Sequence, residues 1–346
     1  MGVDDAKMML AEDNEAEAMA AHAKAVDEFL DPEHVPANVV GLGVGVKWSN
    51  GQPTGEPAVL ALVSQKVDED MLRSADVIPS ELGGMQTDVL AVGELLAGGE
   101  PIDAGVQTLR NRIRPAEGGY SVGHINITAG TIATCVYAIL PEAGRYNPGI
   151  GIPNRYFILS NNHVLANSNN ANLGDPVLQP GPFDGGTDPA DRIGSLAAFV
   201  PITFWPPVPL NQHRNLVDAA IATVEFHDGD REIYWIGYVR AWMRRSEVKV
   251  GMLVQKTGRT TNYTVGRITT IAATVNVNYG GGRVARFVDQ IVTTNMSAGG
   301  DSGSLVTTFD NVAVGLLFAG SPSATILNQI EHVRRLLRVE VAEEVV

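Results

Sequence analysis

The chain of 346 residues carries 25 basic and 39 acidic side chains, a net charge of −14 at pH 7, with 45% hydrophobic and 18% charged residues. This is a folded, core-forming composition, and the length suits two domains or one large domain with an extension. The acidity argues against binding of bare phosphate backbones, so nucleic acid is not an expected partner, and no apolar run approaches the roughly 18 residues of a membrane-spanning helix.

Residues 1–32 hold nine acids and two bases, half of the excess negative charge. The opening MGVDDAKMMLAEDNEAEAM has no basic stretch followed by an apolar one, so a secretory leader is not expected. Met19, Ala23, Val26 and Leu30 recur at helical spacing and predict an acidic amphipathic helix, which either lies on its own body or docks on a partner subunit or over a site. Residues 33–112 change character. NVVGLGVGVKW and PAVLALVSQKV read as strands, DEDMLRSADVIP as helix-like and TDVLAVGELL as a further strand, together a small α+β domain. GLGVGVK at 41–47 lacks the Lys-Ser/Thr ending of a phosphate loop and reads better as a strand of small residues.

From 113 to the end the pattern is nearly all β. Short runs rich in Val, Ile and Thr are punctuated by Gly, Pro and Asn: TAGTIATCVYAIL, RYFILS, DPVLQP, DAAIATVEF, MLVQKTG, VGRITTIAATVNV, RFVDQIVTT and VAVGLLFAG. Such spacing argues for a sandwich or barrel. Cys135, in the first of these runs, is the single cysteine, so an intrachain disulfide and a multi-cysteine metal site are excluded and a reducing, cytoplasmic home is expected. FWPPVPLN (204–211) is extended loop, NYGGGR (278–283) a hairpin turn, and ILNQIEHVRRLL (326–337) a final helix with Ile326, Ile330, Val333 and Leu337 on one face.

The sharpest chemical signal is Ser297-Ala298-Gly299-Gly300-Asp301-Ser302-Gly303-Ser304. A serine between glycines sits on a tight turn with its hydroxyl exposed, and glycine backbones let N–H groups converge where an oxyanion would form. A serine hydroxyl also needs a base at neutral pH. His163, just past the apolar run FILS, is the candidate, and Asp218, at the entrance of the apolar run Ala219–Ala222, is the candidate acceptor for its Nδ1–H. Each alone has a plain alternative: a Gly/Ser turn, a loop histidine beside asparagines, a turn-capping aspartate. His124, His213, His227 and His332 are scattered and read as ordinary surface or turn residues. HExxH, Rossmann and Walker patterns are absent, so no cofactor and no metal are expected.

The order His163, Asp218, Ser302, with NNHVL, DAAIA and GGDSGS around them, resembles the chymotrypsin/trypsin-like serine proteases. The resemblance covers about 113–340 and implies two antiparallel six-stranded β-barrels, about 118–232 and 233–324, with a C-terminal helix at about 326–338. LVQKTGRTTNYTVGRIT and VGLLFAGS are similar to segments of the second barrel. It further implies that His163, Asp218 and Ser302 act as a triad on a protein or peptide substrate, with the Gly300 and Ser302 amides as oxyanion donors. Met296 would be the base of the substrate pocket, with Phe318, Ala319 and Gly320 as its wall, suited to a small or medium apolar side chain. Asp301 would need a buried cation, with Lys256 first and Arg259 second in line. Ser304 departs from the family's usual glycine. The signal-free architecture with an N-terminal unit is similar to an intracellular bacterial trypsin-like group and, distantly, to the plant narrow-leaf protein, and implies a homo-oligomer whose N-terminal part assembles it or controls access. Two other readings stand beside the endopeptidase: a catalytically silent scaffold that binds partners, and an esterase-like hydrolase.

Overall fold

The computed structural model describes residues 6–30, 35–49, 51–98, 109–138 and 156–342. Residues 1–5 and 31–32 of the acidic segment, 99–108 of the N-terminal unit and Ile139–Leu140 of the first β run lie outside them. The fold is mainly β, with a helix near each end. Among the described residues no helix is long and apolar enough to cross a membrane.

The acidic segment forms α1 (Glu12–Phe29), which packs on β1 (Val39–Ser49), β2 (Gln52–Val63) and β3 (Glu81–Leu82). Its buried face is Ala18, Ala21, His22 and Ala25, with Met19 and Val26 at the margin, so small side chains bring the helix close to the sheet. β1 is the GLGVGVK run. Gly41, Gly43 and Gly45 face a neighbouring strand so closely that a methyl group on any of them would collide with it, which is the reason for small residues there. β2 pairs with β1 and with β4 (Met85–Ala91), and β5 is the two-residue strand Leu96–Ala97.

DEDMLRSADVIP is not a helix: only Glu69–Met71 make a 3₁₀ turn, and none of the three is buried. The Asp76 carboxylate instead bonds Arg73 Nε (2.6 Å) and the Ala37 amide (3.2 Å), local side-chain bonds that compete with helix formation in a segment lacking an apolar stripe.

One barrel comprises β7 (Ser121–His124), β8 (Gly130–Thr131), β9 (Cys135–Ala138), β10 (Tyr156–Ser160), β11 (Pro176–Leu178), β12 (Arg192–Phe199) and β13 (Ala220–Val224), with β6 (Ala116–Gly118) beside it. The pairing runs β9-β10-β13-β12-β11-β7-β8. β8 and β9 are the two ends of one bent segment, 130–138, so the sheet returns on itself as six strands. A one-turn helix, α2 (Asn162–Leu165), follows β10. β14 (Gly229–Ile233) runs parallel to β6 and pairs with β15 (Gly237–Tyr238), and β16 (Ala241–Trp242) leads into the second barrel.

That barrel contains β17 (Leu253–Gly258), β18 (Asn262–Asn278), β19 (Val284–Thr294), β20 (Leu305–Thr307), β21 (Val312–Gly320) and β22 (Ala324–Gln329). The order β17-β20-β21-β22-β19-β18, closed by β17 on β18, is again a ring of six. The second half of β18 also pairs with β1, so the sheet runs straight across the expected boundary near 112, and one apolar cluster joins Ala18 and Val44 to Ile268, Ile291 and Leu327. α3 spans Ile330–Leu337, shorter than the pattern predicts. Ile326 belongs to β22, which is held on both sides by β19 and β21. β23 (Val339–Glu340) returns to β9.

On β6 the half-buried Glu117 feels Glu232 and Asp230 of β14, and burial first, then these two charges, push its carboxyl up to about 7. A carboxyl raised in the folded state binds a proton that the unfolded chain has released, so stability is lost as pH rises from about 4.5 to about 7. Glu117→Gln should therefore raise the melting temperature over wild type at pH 8 and leave it nearly unchanged at pH 4, as measured by thermal unfolding at both pH values.

Candidate active site

The antiparallel register of β10 on β13 pairs Ser160 with Ala220. Continuing that register past the strand ends brings α2 level with Asp218. Asn161 Nδ2 donates to the Asp218 carbonyl (2.7 Å), the His163 amide donates to Asp218 Oδ1 (3.1 Å), and His163 Nδ1 lies 2.6 Å from Asp218 Oδ2. The Asp218 side chain is fully buried, and its amide bonds Asn328 Oδ1 (2.9 Å). Because the carboxylate accepts a hydrogen bond from Nδ1–H, the other ring nitrogen of a neutral imidazole is left as acceptor. His163 Nε2 is buried and, among the described residues, has no hydrogen-bond partner.

Ser302 lies between Gly300 (φ +96°) and Gly303 (φ +99°), left-handed positions that favour glycine. A methyl group on Gly303 would run into Ser160 Oγ, and the Ser302 carbonyl accepts from the Thr131 amide (2.7 Å). Thr131 Oγ1 donates to the Gly300 carbonyl (2.9 Å). These contacts press the serine turn of the second barrel against the end of β10, the strand that leads to His163. Ser302 and His163 are each only 8% exposed. Among the described residues the amides of Gly300 and Ser302 have no acceptor, whereas Asp301 and Gly303 bond Ala298 and Leu317 carbonyls.

Asp301 points away from Ser302 into the second barrel. Lys256 Nζ lies 3.1 Å from its Oδ2, and both side chains are fully buried. Asp301 also accepts from the amides of Thr260 (2.8 Å), Thr261 (3.1 Å) and Ala298 (3.1 Å) and from the Thr261 hydroxyl (2.6 Å). Burial lowers the Lys256 pKa from its ordinary value, opposed by the Asp301 charge. Arg259, the second base in line, pairs instead with Asp184, Nε to Oδ2 at 2.8 Å. Ser304 donates to the Asp301 carbonyl (2.7 Å), so its hydroxyl is satisfied inside the turn.

A cavity of about 330 Å³ opens beside Ser302 and is lined by Leu96, Ser297, Ala298, Gly299, Ala319 and Gly320, among others, none of them charged. Met296 and Phe318 are not on its wall. Gly266 leaves room for the Met296 thioether, since a methyl group there would sit 2.6 Å from Sδ, and Met296 joins the barrel core. Leu317 and Ala319 of β21 line the cavity, whereas Phe318, at an irregularity in the pairing of β21 with β22, packs on Phe287 (ring centroids 4.6 Å apart).

Two features were not foreseen. Tyr279, from the hairpin turn NYGGGR, donates its hydroxyl to Asp218 Oδ2 (2.7 Å). Leu96 and Ala97 of β5 pair antiparallel with Gly320 and Ala319, and a methyl group on Gly98 would sit 3.3 Å from His163 Cδ2. Neither has a local sequence signal, because both depend on strand pairing far along the chain. Of the four scattered histidines three are less superficial than expected: His124 bonds Asp175 (3.2 Å), His213 the Val208 carbonyl (2.9 Å) and His332 Asp289 (2.7 Å), all three buried, whereas His227 is exposed. Cys135 is buried and its thiol is pushed up to about 12 by burial, so it is not a nucleophile at neutral pH. Among the described residues no group of three or more His, Cys, Asp or Glu stands together as a metal site.

No family model matches the chain, and no curated protein matches it in sequence. Similar solved structures include Thermobifida fusca protease A (16% identity, TM-score 0.43, covering 65% of this chain and 97% of that one) and a Cellulomonas bogoriensis chymotrypsin (17%, 0.42, 65% and 96%). A Nocardiopsis protease is a third (16%, 0.43, 65% and 97%).

The Lys256–Asp301 pair gives a stability prediction. Removing one partner of a fully buried pair strands the other charge, at a cost of about 3–5 kcal/mol. Lys256→Met should lower unfolding free energy in urea by that amount, and adding Asp301→Asn should recover part of it; equal stability of Lys256→Met and wild type would show that the pair does not hold the turn.

Proposed function

We propose that the chain is a serine endopeptidase of the chymotrypsin/trypsin-like kind. The observation that carries this reading is the 2.6 Å His163 Nδ1–Asp218 Oδ2 contact, which leaves the buried Nε2 without a hydrogen-bond partner among the described residues, together with Ser302 on the wall of the uncharged cavity. In the proposed mechanism His163 Nε2 takes the proton of Ser302 Oγ as that oxygen attacks a peptide carbonyl. Asp218 holds the imidazole in the required tautomer and stabilises the imidazolium. The free amides of Gly300 and Ser302 receive the oxyanion. His163 then protonates the leaving amine, the C–N bond breaks, and water, activated the same way, releases the acyl group from Ser302. The uncharged cavity beside Ser302 favours a small or medium apolar side chain. The Lys256–Asp301 pair supplies the buried cation internally, so no cut to free an N-terminal amine is needed.

The reading includes restraint by the N-terminal region. An extended peptide is recognised by adding a strand to a free sheet edge. Here Leu96 and Ala97 already occupy the edge of β21 at Ala319 and Gly320, Leu96 lines the cavity, and Gly98 lies against the His163 ring. The neighbouring backbone is tied down by Asn278, whose amide bonds the Leu95 carbonyl (3.0 Å), and by a hydrogen bond from the Ser321 hydroxyl to the Val92 carbonyl. A substrate has to displace the chain's own segment.

Two outcomes are expected. Ser302→Ala should lower cleavage of a peptide library by roughly 10,000-fold or more with stability within about 0.5 kcal/mol of wild type; undiminished cleavage by the purified variant rules out Ser302, and hydrolysis of esters but never peptides makes the enzyme an esterase. Leu96→Asp combined with Ala97→Pro, which removes the pocket contact and a strand amide, should raise the cleavage rate several-fold. An unchanged rate in a normally folded variant would mean that β5 does not restrain the site.

A further inference from the structure

The proposed mechanism uses Asp218 only through His163, yet the carboxylate has a further donor that the mechanism leaves idle. Oδ1 accepts the His163 amide, and Oδ2 accepts both His163 Nδ1 (2.6 Å) and the Tyr279 hydroxyl (2.7 Å). Tyr279 belongs to the second barrel, at the end of β18, whereas His163 and Asp218 belong to the first.

The ring of Tyr279 is fixed on several sides. Phe204 meets it edge-on (centroids 5.1 Å apart, planes at 76°), Phe287 lies nearly parallel at 6.2 Å, and the ring stands edge-on to His163 at 6.1 Å and 80°. The Tyr279 amide bonds the Arg283 carbonyl (2.9 Å), and the Arg283 guanidinium covers Phe204 at 4.8 Å. Tyr279 therefore touches both members of the histidine–aspartate pair with its orientation held by packing. Burial of its hydroxyl, then the Asp218 charge, keep the phenol well above its ordinary pKa, so at neutral pH it is a donor to the carboxylate and not a competing anion.

A donor on Oδ2 does two things. It fixes the rotation of the carboxyl group, which aims the remaining lone pair of Oδ2 at Nδ1. It also takes up part of the negative charge that would otherwise stabilise the imidazolium, a charge-assisted hydrogen bond in a site shut off from water. We propose that Tyr279 is a positioning residue for the reaction, acting through Asp218 to align His163 and to keep its basicity from rising too far. The inference rests on the endopeptidase reading for its kinetic consequence, and on geometry alone for its effect on the pair.

The test is Tyr279→Phe, which keeps the ring and removes the hydroxyl. With a chromogenic peptide substrate, kcat/KM should fall about tenfold or more. The acid limb of its pH profile should move to higher pH, because an Asp218 charge that is less shared holds the imidazolium more strongly. KM should change little. A second readout needs no turnover: the downfield proton resonance of His163 Nδ1–H, assigned by its loss in Asp218→Asn, should shift in Tyr279→Phe. An acid limb and a resonance both unmoved overturn the proposal, whether or not the overall rate or melting temperature falls, since a purely structural role lowers those without moving the limb. If wild type cleaves neither peptides nor esters, the endopeptidase reading fails, and the resonance still decides whether Tyr279 sets the pair.

Discussion

A carboxylate taken fully out of water has to find its hydrogen bonds inside the protein, and Asp218 finds them in two barrels at once. From the first barrel come the amide and Nδ1 of His163, and from the second comes the Tyr279 hydroxyl. Losing any donor would leave a buried charge short of a partner, so the arrangement is selected strongly against nearby alternatives. The same bonds define the tautomer of His163 and leave its buried Nε2, among the described residues, without a partner. Geometry that stabilises the fold thereby also leaves one imidazole nitrogen as an acceptor.

A second buried charge does comparable work for the serine. Asp301 cannot be removed from water alone, and Lys256 with the Thr260, Thr261 and Ala298 donors satisfies it. The backbone around it is forced into the left-handed turn at Gly300 and Gly303, and Thr131 of the other barrel bonds the carbonyls on either side. Ser302 is consequently held by contacts from both barrels. Asp218 and Asp301, next to His163 and Ser302, each gather several hydrogen bonds from separate segments of the chain.

Much of this was legible in the sequence because it is local. Alternating Val, Ile and Thr with turn residues mark the strands, and the strand-end positions of His163 and Asp218, with glycines about Ser302, mark the candidate site. What escaped depends on register over long separations. NYGGGR carries a turn signal that is correct, but nothing in it says that Tyr279 reaches an aspartate 61 residues earlier. TDVLAVGELL reads as one strand, and the pairing of Leu96 and Ala97 with Gly320 and Ala319 exists only once the second barrel has closed. Met296 and Phe318 stand off the cavity wall because of packing: the space beside Gly266 takes the Met296 thioether, and Phe318 packs on Phe287. The short C-terminal helix reflects competition: Ile326 fits an amphipathic stripe, yet two flanking strands claim it for the sheet.

The central claim is that the His163–Asp218 pair makes Ser302 an activated nucleophile. The most direct measurement is the site of modification by a fluorophosphonate, mapped by mass spectrometry after reaction of the full chain. The account predicts one adduct per chain on the peptide containing Ser302, and its loss in His163→Ala. A protein that stays unmodified after β5 is displaced, or an adduct on Ser302 formed equally fast without His163, would contradict it.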